Sequence, residues 1–425
     1  MKKLMKWLLG FYLLFFCGFG YSVCCLNNQG DPVDWWIIVK KPGKIDGNDA
    51  IYIDPKLDNP DYISFGKKHG DNPLFRTLKQ SNHLNTPFRK EDKIHFCEPN
   101  NLCTLVYNDQ EPKEADAISK YSHSKGIVSF DNQEGFWIIH SLPRFPDVDE
   151  KMKSIKFSLP NNVTNAGHGK AQSLFCMSLP RENDGIDQFS KITEHLSTLK
   201  VNFYPRVESN FYSGNAVKQQ KKCIRPTLEL KLLGGSEVVS YGIKNCHNTK
   251  TDRNKLDIYE YIARLTNHNL MVQSWSDKLL ESKRIYPVKQ LSFPNNRSNP
   301  WGDKIAQKKD HSKWAISKNK GTLVCMGDLN REESQKSRGG QMCCIESKQA
   351  WNMFHSMIYT LEQRDAIKVL AQESGLSKNK LTKVKKIKEC TLKELIKMGD
   401  IVVCKEGQKH AYYLKEHKPN PCADV

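Results

Sequence analysis

One strand-turn-strand pattern occurs twice in this chain, and no other feature restricts its fold as strongly. His123-Ser124-Lys125 leads into Gly126-Ile127-Val128-Ser129-Phe130, a polar turn at Asp131-Asn132-Gln133-Glu134, and the strand-like Gly135-Phe136-Trp137-Ile138-Ile139-His140. His311-Ser312-Lys313 leads into Trp314-Ala315-Ile316-Ser317, a turn at Lys318-Asn319-Lys320-Gly321, and the strand-like Thr322-Leu323-Val324-Cys325-Met326. In each copy a polar residue sits 17 positions past the histidine, His140 in one and Asp328 in the other. Side chains alternate along a strand, so the His and Lys of each triplet share a face. A duplicated half can set two such faces against each other.

Two histidines and two lysines facing one cavity suit phosphodiester cleavage without a metal. A neutral imidazole attacks phosphorus and forms a phosphohistidine, while a protonated one donates to the departing oxygen. The lysines neutralise the non-bridging oxygens as charge develops. Because one imidazole must be charged and the other neutral, a mildly acidic optimum is expected. A single HxK triplet occurs often by chance; two in matching strand contexts carry far more information.

Composition bounds the rest. At 425 residues, with 38% apolar and 10% aromatic side chains, the chain has globular composition and is neither disordered nor collagenous. The net charge of +18 suits a polyanionic partner such as nucleic acid, and equally a membrane surface. Residues 1–22 read as a cleaved secretory signal: Lys2, Lys3 and Lys6 precede an apolar stretch from Trp7 to Gly20, with Gly20 and Ser22 small enough for the peptidase. That stretch is short for a spanning helix, which needs about 20 residues. Cleavage lowers the charge from +18 to +15 and leaves 13 of the 14 cysteines, with no CxxC pair. In the oxidising secretory pathway they read as disulfides, the odd count leaving at least one thiol free or paired between chains. Asn162-Val163-Thr164 and Asn296-Arg297-Ser298 are candidate glycosylation sites.

Trp35-Trp36-Ile37-Ile38-Val39 predicts a buried strand. Ile186, Phe189, Ile192, Leu196 and Leu199 recur at helical spacing, as do Ile258, Tyr261, Ile262 and Leu265, and both sets predict core-facing stripes. Met353, Phe354, Met357 and Leu361 suggest a further helix. Beyond it lies a lysine-rich tail, with 14 Lys+Arg against 9 Asp+Glu from residue 351 onward, read as a solvated appendage pinned by disulfides.

Several long, ordered stretches carry a family resemblance. They are Pro32-Val33-Asp34-Trp35-Trp36, Tyr107-Asn108-Asp109-Gln110, His123-Ser124-Lys125-Gly126, Gly135 to Pro146, Asp310-His311-Ser312-Lys313-Trp314, Gly327-Asp328-Leu329-Asn330-Arg331 and Arg338-Gly339-Gly340. Over Gly30 to Cys344 the chain resembles the deoxyribonuclease II family of the phospholipase D-like superfamily. The resemblance implies an α/β (α+β) fold of two pseudo-symmetric lobes, each with a central mixed β-sheet flanked by helices. It divides the chain into a signal peptide (1–22), an N-terminal lobe with the first HxK (23–205), a C-terminal lobe with the second (206–350) and a basic, cysteine-containing extension (351–425).

The same resemblance implies an acid endonuclease, extracellular or lysosomal, that cuts DNA to 3′-phosphate ends with no cofactor or metal. Its catalytic residues would be His123, Lys125, His311 and Lys313, with Asn330 as a phosphate ligand. The residues alone do not decide which imidazole attacks; the reading adopted is His123 as nucleophile and His311 as general acid. Cys24 or Cys25 is implied as the partner of Cys176, and Cys343 or Cys344 as the partner of Cys325. The implied partners are DNA, bound through its backbone without sequence preference, and a second copy in a homodimer, with no membrane contact after signal cleavage.

The superfamily pattern places an Asp beyond each Lys with four residues between them. Here Asp131 comes one position later and the second copy has Asn319, so a carboxylate that orients either histidine is not evident. His140 reads either as a phosphate-facing residue or as a core histidine. Lys304, Lys308 and Lys309, just ahead of His311, are placed to meet a DNA backbone, whereas Lys218, Lys221, Lys222 and Arg225 read as a solvated face. His168-Gly169-Lys170 is a third HxK, in a segment where the family places no catalytic residue. Two other functions compete: a secreted DNA-binding or host-interaction protein that has lost turnover, and a phosphodiesterase acting on RNA or lipid.

Overall fold

The structure is a computed structural model that describes residues 23–42, 50–65, 72–81, 102–112, 116–149, 154–156, 169–204, 224–244, 256–275, 280, 282–288, 291–293, 303–305, 307–318, 321–358, 401–406 and 409–414. The signal segment, both sequons, His168, the 218–222 lysines and Leu361 lie outside those residues, as does the side chain of Lys304. Contacts define two compact units, Met1–Lys289 with Ile305–Phe354, and Gln290–Lys304 with His355–Val425. The second includes an antiparallel ladder of Ile401–Glu406 with Lys409–Leu414. The first holds two seven-stranded sheets.

Seven strands form the first sheet: β1 (Trp35–Lys40), β2 (Ala50–Ile53), β3 (Asp61–Ile63), β4 (Cys103–Asn108), β5 (Lys125–Phe130), β6 (Glu134–His140) and β7 (Gln172–Pro180). Their order is β3-β2-β1-β7-β6-β5-β4, antiparallel throughout. The second sheet contains β8 (Thr227–Lys231), β9 (Glu237–Ile243), β10 (Leu270–Gln273), β11 (Ile285–Pro287), β12 (Trp314–Ser317), β13 (Leu323–Gly327) and β14 (Gly340–Glu346). Its order is β8-β9-β14-β13-β12-β10-β11, and only the β10–β11 pair is parallel.

Both hairpins foreseen from the sequence are present, as β5–β6 and β12–β13. β1 is buried along its whole length because it sits between β2 and β7. Trp36, Ile38, Phe136, Ile138, Leu174 and Cys176 point to one face, packed with Leu74 and Leu78 of helix α1 (Pro73–Lys79). The opposite face of the same strands is buried as well, since β13 of the second sheet lies against β6 and β7. Burial on both faces explains the unbroken apolar runs. Each such side chain contributes about 1.5–3 kcal/mol on leaving water.

Helix α2 (Gln188–Leu199) buries Phe189, Ile192, Leu196 and Leu199 as the spacing predicts, but it does not include Ile186. Asp187 caps the helix by accepting the Ser190 amide at 3.0 Å, so the turn begins one residue too late for Ile186, which is 46% exposed. Helix α3 (Ile258–Leu265) buries Ile258, Tyr259, Ile262 and Ala263. The buried arc is centred between Ile258 and Ala263, which leaves Leu265 at its edge and 54% exposed. Residues 348–358 are helical, with Phe354 stacked on Trp314 at 4.6 Å.

Both expected bridges form, Cys25–Cys176 and Cys325–Cys344. Cys325 and Cys344 are direct cross-strand partners, whereas Cys343 pairs in register with Met326 and points to the other face. Period-two alternation therefore selects Cys344 over Cys343.

Tyr107 ties the sheets together. Its hydroxyl accepts from Trp137 Nε1 at 2.8 Å within the first sheet and from Gln341 Nε2 at 2.9 Å on β14. Gly126 leaves room for it: a Cβ there would sit 2.3 Å from that hydroxyl. Tyr107→Phe leaves two buried donors unpaired and is expected to cost about 2–4 kcal/mol in urea unfolding. A loss below about 0.5 kcal/mol would show that the bridge is not a stabilising contact.

Candidate active site

Each triplet ends where a strand begins. His123 and Lys125 open β5, and His311 and Lys313 precede β12. In both, the lysine Nζ donates back to the carbonyl of its own histidine, at 3.1 Å for Lys125 and 2.6 Å for Lys313. Each ammonium is thereby held over its own triplet and kept from extending into solvent.

Each histidine is anchored by the opposite sheet. The His123 amide donates to the Gly339 carbonyl at 3.0 Å, at the entry to β14, and its Nδ1 lies 2.6 Å from the Asp328 carbonyl oxygen. A carbonyl only accepts, so Nδ1 carries the proton and Nε2 keeps a lone pair. The His311 amide donates to the Ala171 carbonyl at 3.0 Å, just before β7, and the Lys313 amide donates to Ser173 Oγ at 3.2 Å. Trp275 lies over His311 with ring centroids 5.3 Å apart.

Asp109, fully buried directly after β4, is the one carboxylate among the described residues that holds two cations. Lys125 Nζ donates to its Oδ1, Arg338 Nη2 donates to its Oδ2 at 2.6 Å, and that same Oδ2 lies 3.9 Å from His123 Nε2. Asp131, the residue nearest the superfamily's Asp position, is not at the site. Its Oδ1 accepts the amides of Gln133 and Glu134 and closes the β5–β6 turn.

Electrostatics couple the two triplets. Burial first, then the repulsion of Lys125, Arg338 and Lys313, hold the His123 imidazolium well below its usual range. Burial, then Lys313 and Lys170, push His311 down to about 3. Burial and Lys125 lower Lys313 to about 8. Asp328, whose Oδ1 accepts the Gln341 amide at 3.0 Å, is pushed up by burial to about 6. The site thus favours neutral imidazoles among clustered cations, an arrangement that a bound anion relieves.

Asn330 follows β13 between two fixed neighbours: the Leu329 carbonyl accepts from Tyr259 at 2.6 Å, and Arg331 Nε pairs with Asp257 at 3.2 Å. The Asn330 amide oxygen is buried, with no hydrogen-bond partner among the described residues. His140 is 2% exposed, edge-on to Phe145 at 5.4 Å, and burial together with Lys125 lowers it to about 3. Sequence reasoning missed the roles of Asp109, Arg338, the Asp328 carbonyl and Trp275. The first three lie in stretches that carry the family resemblance, so position along the chain signalled them even though chemistry did not; Trp275 had no such signal.

Among the described residues no group of three or more His, Cys, Asp or Glu side chains could hold a metal ion, and no helix is long and apolar enough to cross a membrane. The chain matches the family described as Deoxyribonuclease II over residues 24–364. It belongs to the deoxyribonuclease II family. Among curated relatives it is 26% identical to cell-death-related nuclease 7 of Caenorhabditis elegans, over 83% of this chain and 90% of that protein. It is 27% identical to deoxyribonuclease-2-alpha of Sus scrofa, over 80% and 90% of the two chains, and 26% identical to plancitoxin-1 of Acanthaster planci, over 81% and 93%. Membership of the deoxyribonuclease II family makes the chain a nuclease, a hydrolase of phosphodiester bonds.

Proposed function

We propose that this chain is an acid endodeoxyribonuclease that cuts DNA to 3′-phosphate ends through a phosphohistidine on His123. The observation that carries the reading is the reciprocal anchoring of two identical triplets, each histidine fixed by the opposite sheet. His123 Nε2, bare because Nδ1 is held by the Asp328 carbonyl, attacks phosphorus. The P–O5′ bond breaks and O5′ takes the proton of His311. Lys125 and Lys313 neutralise the non-bridging oxygens, and Asn330 contributes its amide. His311, now neutral, accepts a proton from water as that water attacks phosphorus. The P–N bond breaks, which frees His123 and the 3′-phosphate. Secretion through a signal at residues 1–22, to the extracellular space or the lysosome, matches the acid requirement.

The pH dependence follows from the sign of the shift. Burial, Lys313 and Lys170 by themselves hold His311 down to about 3. A phosphodiester anion favours its charged form by about 1–3 units, so the acid is present on the acidic side and is lost as pH rises. Purified protein should nick plasmid DNA in EDTA at about pH 5 at least tenfold faster than at about pH 7.5. Activity that appears only with added divalent metal would overturn the two-histidine mechanism. Binding without cutting would favour a DNA-binding protein, and equal cutting of RNA would widen the substrate class.

A further inference from the structure

The part of the third HxK that the structure describes, Gly169-Lys170, runs beside the segment that leads into the second. Ala171 pairs in parallel with Asp310: its amide donates to the Lys309 carbonyl at 2.8 Å, and its carbonyl accepts the His311 amide at 3.0 Å. This short ladder carries Lys170 to the edge of the site, where its Nζ donates to the Lys308 carbonyl at 2.8 Å. One bond occupies one of three ammonium donors and leaves two for a ligand. Lys308 and Lys309 stand exposed on the 3-10 turn Gln307–Lys309.

The two histidines therefore have different surroundings. Around His123 the cations Lys125 and Arg338 share the Asp109 carboxylate. Beside His311, among the described residues, no carboxylate forms an ion pair with Lys170, Lys308 or Lys309. Asp310, the nearest acid in sequence, turns its Oδ1 to the Ser312 amide and hydroxyl. The repulsion of Lys170 is felt at His311. Three ammonium groups beyond the scissile position are more than one phosphate requires, and a nucleic acid strand supplies further phosphates on either side of the one being cut.

We propose that Lys170, together with Lys308 and Lys309, binds a backbone phosphate flanking the scissile one on the His311 side. The enzyme then prefers a strand to an isolated diester. The inference rests on the nuclease reading above, and the test separates the two. Wild type, Lys170→Gln and the double variant Lys308→Gln/Lys309→Gln are compared on thymidylyl-thymidine, which has one phosphodiester and no flanking phosphate, and on a single-stranded oligothymidylate. Binding of the same oligonucleotide is followed by anisotropy across a salt series.

In each variant the kcat/KM penalty should be about tenfold larger on the oligonucleotide than on the dinucleotide. The slope of log K against log salt should fall by about one for each lysine removed. Equal penalties on both substrates with an unaltered salt slope overturn the proposal. A wild type that cuts neither substrate overturns the nuclease reading instead, and the salt slopes still decide whether these lysines hold phosphate. The double variant changes only exposed side chains, so its result stands even if Lys170→Gln perturbs folding.

Discussion

His123→Ala and His311→Ala should each reduce plasmid nicking at about pH 5 in EDTA by at least a thousandfold, the equivalent of about 4 kcal/mol of transition-state stabilisation. The two losses have different origins, and a change of leaving group separates them. Without His123 no phosphohistidine forms, so the loss persists with any substrate. Without His311 the departing oxygen lacks a proton donor, which matters for a deoxyribose 5′-alkoxide and far less for p-nitrophenolate. With a thymidine 3′-(p-nitrophenyl phosphate) substrate, His311→Ala should therefore recover most of the first-turnover burst of p-nitrophenolate, while its steady state stays slow because His311 also serves as base in phosphohistidine hydrolysis; His123→Ala should recover little of either. The reverse pattern would exchange the two roles, and full activity in the double variant would remove both residues from the mechanism.

The second large effect is expected at Asp109. Its carboxylate sits between Lys125 and Arg338 with no exposed surface, and removing it strands one buried and one partly buried cation. Breaking a buried pair in this way typically costs about 3–5 kcal/mol, and Asp109→Ala should lower urea stability by that amount. Asp109→Asn keeps the shape and loses only the charge. It should depress the His123 imidazolium further, because Lys125, Arg338 and Lys313 then act on the ring without a counter-charge. The pH–rate limb assigned to His123 should move to lower pH in Asp109→Asn. A stable Asp109→Asn whose profile coincides with wild type would reduce Asp109 to a spacer.

The sequence marked the parts of this site that are continuous along the chain. An HSK triplet before a strand is visible because it is local, and both hairpins lie where alternation and turn residues placed them. The carboxylate escaped notice because it comes from a different strand. Asp131 is near the expected sequence position, yet it closes a turn at the far end of β5. Asp109 is 16 residues from Lys125 and reaches it because β4 and β5 pair antiparallel, with Asn108 opposite Lys125. Ile186 and Leu265 failed for a related reason: spacing gives the period of a helix but not the residue at which capping starts it, nor the arc that its neighbours cover. Trp275 could not be singled out, since one aromatic after a short strand resembles any other until the ring beneath it is known.

The reciprocal anchoring has a consequence for how activity arises during biogenesis. The His123 amide is held by Gly339, and the His311 amide by Ala171, so each half of the polypeptide supplies the carbonyl that anchors the other half's histidine. A nascent chain that has folded only through β7 has one triplet whose carbonyl partner has not yet been synthesised. A fragment missing the first sheet fails in the same way from the other side. Under the proposed two-histidine mechanism, cutting competence would therefore arise only once both sheets have formed.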